Sequence, residues 1–205
     1  MKQALFALPM AFALIAAKPV PVPQMPSIVA PAEIAANRAN HLYLDLSTGK
    51  TVEIVLRPDL APHHIERIQA LVRRGFYNGL MFHRVIPGFM AQGGDPKGTG
   101  EGGSELPDLK AEFTAVPFLR GTIGAARANN LNSANSQFFI MYSPHPELDG
   151  NYTVMGRVIT GMDGADSIAS GEPREQWISS WTSRSLREFG SIRWTRSTMT
   201  NEPYD

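Results

Sequence analysis

Short apolar runs with strand-like spacing dominate the middle of the chain. Leucine occupies every second position within His41–Leu46, and after the turn-forming Ser47–Lys50 the run Thr51–Leu56 is rich in β-branched residues. This pattern predicts a β-hairpin. Further short apolar runs predict strands at Met81–Val85, Phe89–Gln92, Thr122–Ala126, Gln137–Tyr142, Thr153–Val158 and Ser191–Thr195. Many short strands with few helices are typical of a mainly β barrel or sandwich.

Two segments carry a helical pattern instead. Within Ala61–Gly75, Ile65 and Ile68 recur at helical spacing, and Asp59 stands where it could cap the first turn. Residues 162–170 predict a second, shorter helix. The sequence therefore predicts a mainly β fold accompanied by two helices.

The N-terminal 17 residues differ from the rest of the chain. Lys2 is their only charge, and the nearly continuous apolar run Ala4–Ala17 ends in two alanines. This arrangement is typical of a secretory signal peptide, and the run is shorter than the roughly 20 residues of a membrane span. Pro9 inside the run argues against the alternative of a buried helix. We therefore expect a signal peptide over 1–17 and a periplasmic or secreted protein without a stable membrane span after cleavage.

Four further regions follow the predicted signal peptide. Residues 18–40 are expected to form a proline-rich spacer, because five prolines between residues 18 and 31 favour extended backbone. Residues 41–196 are expected to form one domain, within which 172–190 is an atypical segment with no assignable role. Residues 197–205 read as a polar tail.

Composition excludes several classes of function. The 19 basic and 19 acidic residues cancel, so the chain lacks the net positive charge that is typical of proteins that bind nucleic acid or an anionic membrane. With no cysteine, thiolate nucleophiles and thiolate zinc sites are excluded. His63 and His64 are adjacent, which on a helix directs them apart. We expect no metal, no cofactor and a monomer.

Two segments concentrate the candidate chemistry. Phe82–Asp95 reads FHRVIPGFMAQGGD, and a Pro-Gly bend within it would bring Arg84 and Gln92 to one surface. Arg127–Ile140 reads RANNLNSANSQFFI, and its strand-like end places Gln137 and Phe139 on one face, with the intervening phenylalanine on the other. The residues alone leave open whether these phenylalanines are plain core and the arginine a plain surface charge.

These two segments resemble the cyclophilin family of peptidyl-prolyl isomerases. The supporting segments GTGEGG, LKAEF and LDGNYTVMGRVITGMD follow in the order and spacing of that family, over about residues 41–169. The resemblance implies a closed eight-stranded antiparallel barrel capped by two helices, and rotation about X–Pro peptide bonds in segments of unfolded or exported proteins. By the same resemblance the catalytic residues are Arg84, Gln92 and Phe139. The implied substrate-binding residues are Phe89, Met90, Arg127, Ala128, Asn129, Gln137, Leu148 and Tyr152.

Two positions depart from the family pattern. Glu147 stands where some members carry a tryptophan, and Tyr152 stands where many carry a histidine. The tryptophan contributes to binding cyclosporin-type ligands, so we expect weaker binding of such ligands here. The alternative to an isomerase is a non-catalytic module that binds proline peptides as a chaperone or scaffold.

Overall fold

The structure, a computed structural model, describes residues 27–171 and the backbone of residues 191–195. Its strands are β1 His41–Asp45, β2 Thr51–Leu56, β3 Leu80–Ile86, β4 Met90–Gly93, β5 Thr122–Ala125, β6 Phe138–Met141, β7 Val154–Thr160 and β8 Ser191–Thr195. Its α-helices are α1 Ala32–Ala36, α2 Pro62–Arg73 and α3 Met162–Asp166, and single 3-10 turns cover Arg38–Asn40 and Pro146–Leu148. The predicted strands are present with small shifts at their ends, which confirms a mainly β protein.

The strands form a curled antiparallel sheet. Their order across the sheet is β1-β2-β7-β5-β6-β4-β3-β8, and every described pairing is antiparallel. The backbone of β8 pairs with β1 through Tyr43↔Thr195 and with β3 through Leu80↔Ile192. The neighbours β3, β4, β6 and β5 together supply a continuous surface on which a site can be built.

The main hydrophobic core lies on one face of this sheet and beneath the helices. Alternate residues of β1 and β2, such as Leu44 and Ile54, are fully buried there. Helix α2 contributes Ile65 and Ile68, and residues at and just after α3 also join the cluster. Helix α3 is four residues shorter than the sequence predicts. Its last turn tightens into i→i+3 hydrogen bonds, including Ile168 N–H to the Ala165 carbonyl.

A different residue from the predicted one caps α2. The prediction that Asp59 caps this helix is wrong, because its carboxylate bonds to the Arg57 guanidinium at 2.8 Å. Glu112, distant in sequence, accepts hydrogen bonds from the N–H groups of His63 and His64 at 3.2 and 3.1 Å. The unsatisfied donors of the first turn thus find their acceptor in another part of the fold.

The sheet's outer face carries a second hydrophobic cluster. Along β6 the side chains alternate, so that Phe138 joins the main core and Phe139 joins this outer cluster. Met90 from β4 is buried beside Phe139, as are Phe118 and Val154. The predicted division of the two phenylalanines between opposite faces is confirmed, and the outer cluster forms the floor of the site described below.

The end of the predicted spacer packs against the domain. Within residues 27–40 the chain forms α1 and a 3-10 turn rather than extended backbone throughout. The Arg57 guanidinium, 4% exposed, donates to the Ser27 carbonyl at 2.8 Å, and His41 Nε2 lies 2.7 Å from the Ala35 carbonyl. The predicted signal peptide, the atypical segment 172–190 and the polar tail lie outside the described residues.

Candidate functional site

A tight corner between β3 and β4 places the central polar pair. Gly88 adopts φ +73°, a conformation that favours glycine, and the Phe89 N–H bonds to the Ile86 carbonyl at 3.0 Å to close the turn. The strand register then sets Arg84 directly opposite Gln92. The proximity predicted from the eight-residue spacing and the Pro-Gly bend is confirmed.

Beside this pair lies an open cavity of about 140 Å³. Phe139 and Met90 form its buried, apolar part, and both are at most 5% exposed. The cavity is lined by Arg84, Phe89, Met90, Gln92, Ala126, Arg127, Phe139, Leu148 and Tyr152. Eight of these nine residues were predicted from the sequence, and the structure brings them to one place. A cavity with an apolar floor and a polar, cationic edge suits a small ring attached to a peptide.

A glycine on the neighbouring strand makes room for the floor of this cavity. Gly124 of β5 lies opposite Phe139 in the sheet register. A Cβ atom at Gly124 would come within 2.3 Å of Phe139 Cζ and 2.7 Å of Phe118 Cε1. The two rings stack, with centroids 5.7 Å apart. The orientation of Phe139 therefore depends on the missing side chain at position 124.

A stacked tyrosine and arginine form one wall of the cavity. The Tyr152 ring meets Phe139 edge-on with centroids 5.8 Å apart, and the Arg127 guanidinium carbon lies 4.4 Å from the Tyr152 ring centroid. Arg127 also donates to the carbonyls of Ala128 and Asn151, each at 2.9 Å. These contacts fix the cation over the tyrosine. The family resemblance implied both residues at the site but not their contact.

The two glutamines form a chain that leads away from the cavity. Gln92 Nε2 donates to Gln137 Oε1 at 2.8 Å, and Gln137 Nε2 donates to the carbonyls of Gly100 and Gly102 at 2.9 and 2.7 Å. The loop that carries these carbonyls is organised by Asp95, whose buried carboxylate accepts from the Gly100 N–H at 2.7 Å. Burial alone would raise the pKa of Asp95, but hydrogen bonds from backbone N–H groups lower it, so the carboxylate stays charged.

A larger open cavity of about 500 Å³ adjoins the first and shares Gln92, Ala126 and Arg127 with it. Ala128 and Gln137 line only this second cavity, and Asn129 lines neither. Sequence reasoning missed Ala126, which lines both. It also missed the wall residues Ser104, Asp108, Ser133 and Asn135. Asn135 could have been predicted as a site residue, because it is the first residue of the NSQFFI segment that carries part of the family resemblance.

A histidine and a glutamate stand at the rim of the first cavity. The His145 ring packs on Phe89 with centroids 4.5 Å apart, and its Nδ1 atom lies 2.6 Å from Glu147 Oε1. This hydrogen bond lowers the pKa of Glu147, so the carboxylate is ionised at neutral pH. Among the described residues, no group of three or more His, Cys, Asp or Glu side chains could hold a metal ion.

Comparisons with known proteins agree with this geometry. A family model described as "Cyclophilin type peptidyl-prolyl cis-trans isomerase/CLD" matches residues 43–185. The chain is 53% identical over 152 residues to a probable peptidyl-prolyl cis-trans isomerase of Brucella suis. This alignment covers 69% of this chain and 77% of that protein. It is 40% identical over 132 residues to peptidyl-prolyl cis-trans isomerase B of Bacillus subtilis, with 63% and 91% covered.

Solved structures give the same answer. A cyclophilin from Hirschia baltica superposes with a TM-score of 0.61 at 30% identity, covering 68% of this chain and 71% of that one. A cyclophilin-type isomerase from Cryptosporidium parvum, crystallised in the presence of the dipeptide Ala-Pro, superposes with a TM-score of 0.65 at 26% identity, covering 77% and 99%. In the part of our structure that is described, no helix has both the length and the apolar character to cross a membrane.

Proposed function

Because the chain belongs to the cyclophilin-type peptidyl-prolyl cis-trans isomerase family and is itself such an isomerase, we propose that X–Pro bonds rotate in the 140 Å³ cavity. We assign catalysis to Arg84, Gln92 and Phe139. The observation that carries the assignment is that the Arg84 side chain and the apolar Phe139 ring line one cavity, with Gln92 paired to the arginine across the strands.

The reaction places few demands on the site. The barrier to rotation, about 18–20 kcal/mol, arises because the amide nitrogen shares its lone pair with the carbonyl. In the twisted amide the nitrogen keeps that lone pair and can accept a hydrogen bond. Arg84 is a permanent cation with several N–H donors, which suits it to bind this nitrogen. Because rotation breaks no covalent bond, the proposed mechanism uses no nucleophile, metal or cofactor.

The surrounding residues hold the substrate while it rotates. Phe89, Met90, Phe139, Leu148 and Tyr152 would take the proline ring and exclude water, which strengthens the contact between arginine and amide. Gln92 would bind the carbonyl that precedes proline, and the backbone at 126–129 would pair with the extended peptide. A 10⁴-fold acceleration needs only about 5.5 kcal/mol, which a few such contacts can supply.

We also propose where the enzyme works and how its sheet is completed. The apolar start of the chain and the proline-rich stretch after it support export, with unfolded segments of exported proteins as substrates. The antiparallel registers of β8 with β1 and with β3 support closure into an eight-stranded barrel. We expect the enzyme to act as a monomer.

The assignment of the site is tested by measuring cis–trans exchange in a short Ala-Pro peptide with the parent chain and with Arg84→Ala. We expect rapid exchange with the parent and a large loss in the variant, together with unchanged peptide binding. If the parent bound the peptide without accelerating exchange, the alternative of a non-catalytic chaperone or scaffold module would be supported instead.

A further inference from the structure

The rim of the proline cavity carries a fixed negative charge. Glu147 lies next to Leu148, and His145, which Glu147 contacts, packs on Phe89; Leu148 and Phe89 both line the cavity. The Glu147 side chain is 64% exposed, so its charge is available to a ligand in the cavity mouth.

Local structure holds the glutamate in place. Glu147 lies in the 3-10 turn Pro146–Leu148, whose first residue has a fixed φ. Asn151 Nδ2 donates to the Glu147 carbonyl at 3.1 Å, and the side chain is tied through Oε1 to His145 Nδ1 at 2.6 Å. This contact uses only Oε1 of the carboxylate, and the Glu147 side chain as a whole remains 64% exposed. A carboxylate held in this way loses little side-chain entropy when it binds a cation.

The charges at the two ends of the cavity differ. Arg84 and Gln92 lie at one end of the β3–β4 corner, while Phe89, with His145 and Glu147 beyond it, lies at the turn end. The other cation of the cavity, Arg127, already donates to two backbone carbonyls and covers the Tyr152 ring. An extended peptide that holds proline in the cavity and runs toward the turn end would bring the residue next to proline toward this negative rim, since one extended residue spans about 3.3 Å.

We propose that Glu147, positioned by His145, makes this isomerase prefer proline segments that carry a lysine or arginine directly before or directly after the proline. The inference rests on the proposed function of the cavity. The contact would be an exposed ion pair at a binding rim, so its effect on kcat/KM is about two- to fivefold and decreases with salt. Segments with an acidic residue at the same place would be turned over more slowly.

The test compares cis–trans exchange in matched short peptides with lysine, glutamine or glutamate directly before or directly after proline. Each is measured with the parent chain, with Glu147→Gln, and with Glu33→Gln, which removes one exposed carboxylate from α1 outside the cavity. We expect the parent and Glu33→Gln to favour lysine over glutamine peptides by about two- to fivefold at low salt at one of the two positions. We expect Glu147→Gln to bring that ratio close to one.

The role of His145 is tested by the same ratio. His145→Gln keeps a donor that can reach the carboxylate and should retain most of the preference, whereas His145→Ala should lose part of it. Equal ratios in the parent and Glu147→Gln, or no preference in the parent at either position, would overturn the proposal while leaving the isomerase intact. Absence of turnover for every peptide would instead overturn the function assigned to the cavity.

Discussion

At the scale of single residues, the site depends on the position of one arginine. The proposed rotation transfers no proton, and Arg84 contributes to it as a cation with several N–H donors. The chemistry therefore depends on where this cation is held. The strand register with Gln92 and the corner at Gly88 decide that position.

Replacing Arg84 tests this directly. Arg84→Ala should lower kcat/KM at least about tenfold, or about 1.4 kcal/mol in the barrier, because the twisted amide loses its donor. Arg84→Lys should also be poor, because a compact ammonium lacks the planar fork of donors. Peptide exchange and circular dichroism would be measured together. The matched control is Arg74→Ala, an exposed arginine at the end of α2. Wild-type turnover in Arg84→Ala would contradict the assignment.

A second residue acts only through its lack of a side chain. Gly124→Ala would place a methyl group 2.3 Å from the Phe139 ring, so Phe139 or Phe118 must move. We expect a loss of about 1–3 kcal/mol in the free energy of unfolding, as for other over-packed sites. We also expect a higher KM for proline peptides, because Phe139 is the floor of the cavity. Urea unfolding and peptide kinetics check both effects, and an unchanged KM would show that the floor tolerates the shift.

How far the sequence predicts the site depends on how far apart in the sequence the contacting residues lie. Arg84 and Gln92 are close in the chain, so their meeting follows from a bend between two short strands. The opposite faces of Phe138 and Phe139 follow from strand alternation alone. The fit of Gly124 against Phe139 and the stacking of Arg127 on Tyr152 join distant segments, and no local pattern indicates either. The same limit explains why the capping residue of α2 was predicted wrongly.

At the scale of elements, that distant cap stabilises α2, the longest helix among the described residues. Glu112→Ala should lower the free energy of unfolding by about 1–2 kcal/mol, because two N–H groups of the first turn of α2 lose their acceptor. The buried His64 ring, whose Nδ1 lies 2.6 Å from this carboxylate, also loses its partner. Urea unfolding measures the loss. Thr114→Ala, on the same loop, serves as a comparison, and an equal loss in both would indicate that the loop rather than the cap matters.

The segment that precedes β1 is attached in a pH-dependent way. Burial lowers the pKa of His41, but hydrogen bonds to the Ala35 carbonyl and the Glu53 carboxylate outweigh this effect, and the net pKa is raised. Only the protonated ring donates from both nitrogens. Because the pKa of His41 is higher in the folded chain, protonation of this ring stabilises the docked segment. The stabilisation is fully present below the pKa of the unfolded chain, about 6.5, and is lost as pH rises through the pKa of the folded chain.

We therefore expect amide hydrogens near α1 to exchange faster, after correction for intrinsic rates, as pH rises from about 5.5 to 8. His41→Gln, which cannot become charged, should remove most of this dependence while the amides of α2 remain unaffected. A pH dependence that persists in His41→Gln would assign the effect to another group.

At the scale of the whole molecule, the described contacts bear on the order of export and folding. The first residue with a described contact to the domain is Ser27, whose carbonyl accepts from the buried Arg57. The predicted signal peptide ends about ten residues earlier, at Ala16 or Ala17. Cleavage there would leave every described contact of α1 and the domain intact, so we expect the processed chain to fold after export without residues 1–17.

This leads to a prediction about processing. When the full chain is produced in a Gram-negative bacterium, the protein should be recovered from the periplasm or medium with its N-terminus near Lys18, as read by mass spectrometry. A chain that begins at Lys18 should unfold at the same urea concentration as the exported product, because it keeps residues 27–40. Replacing Leu5 and Phe6 by arginine should block export by interrupting the apolar run. Uncleaved protein that accumulates in the cytosol would contradict the assignment of residues 1–17 as a signal.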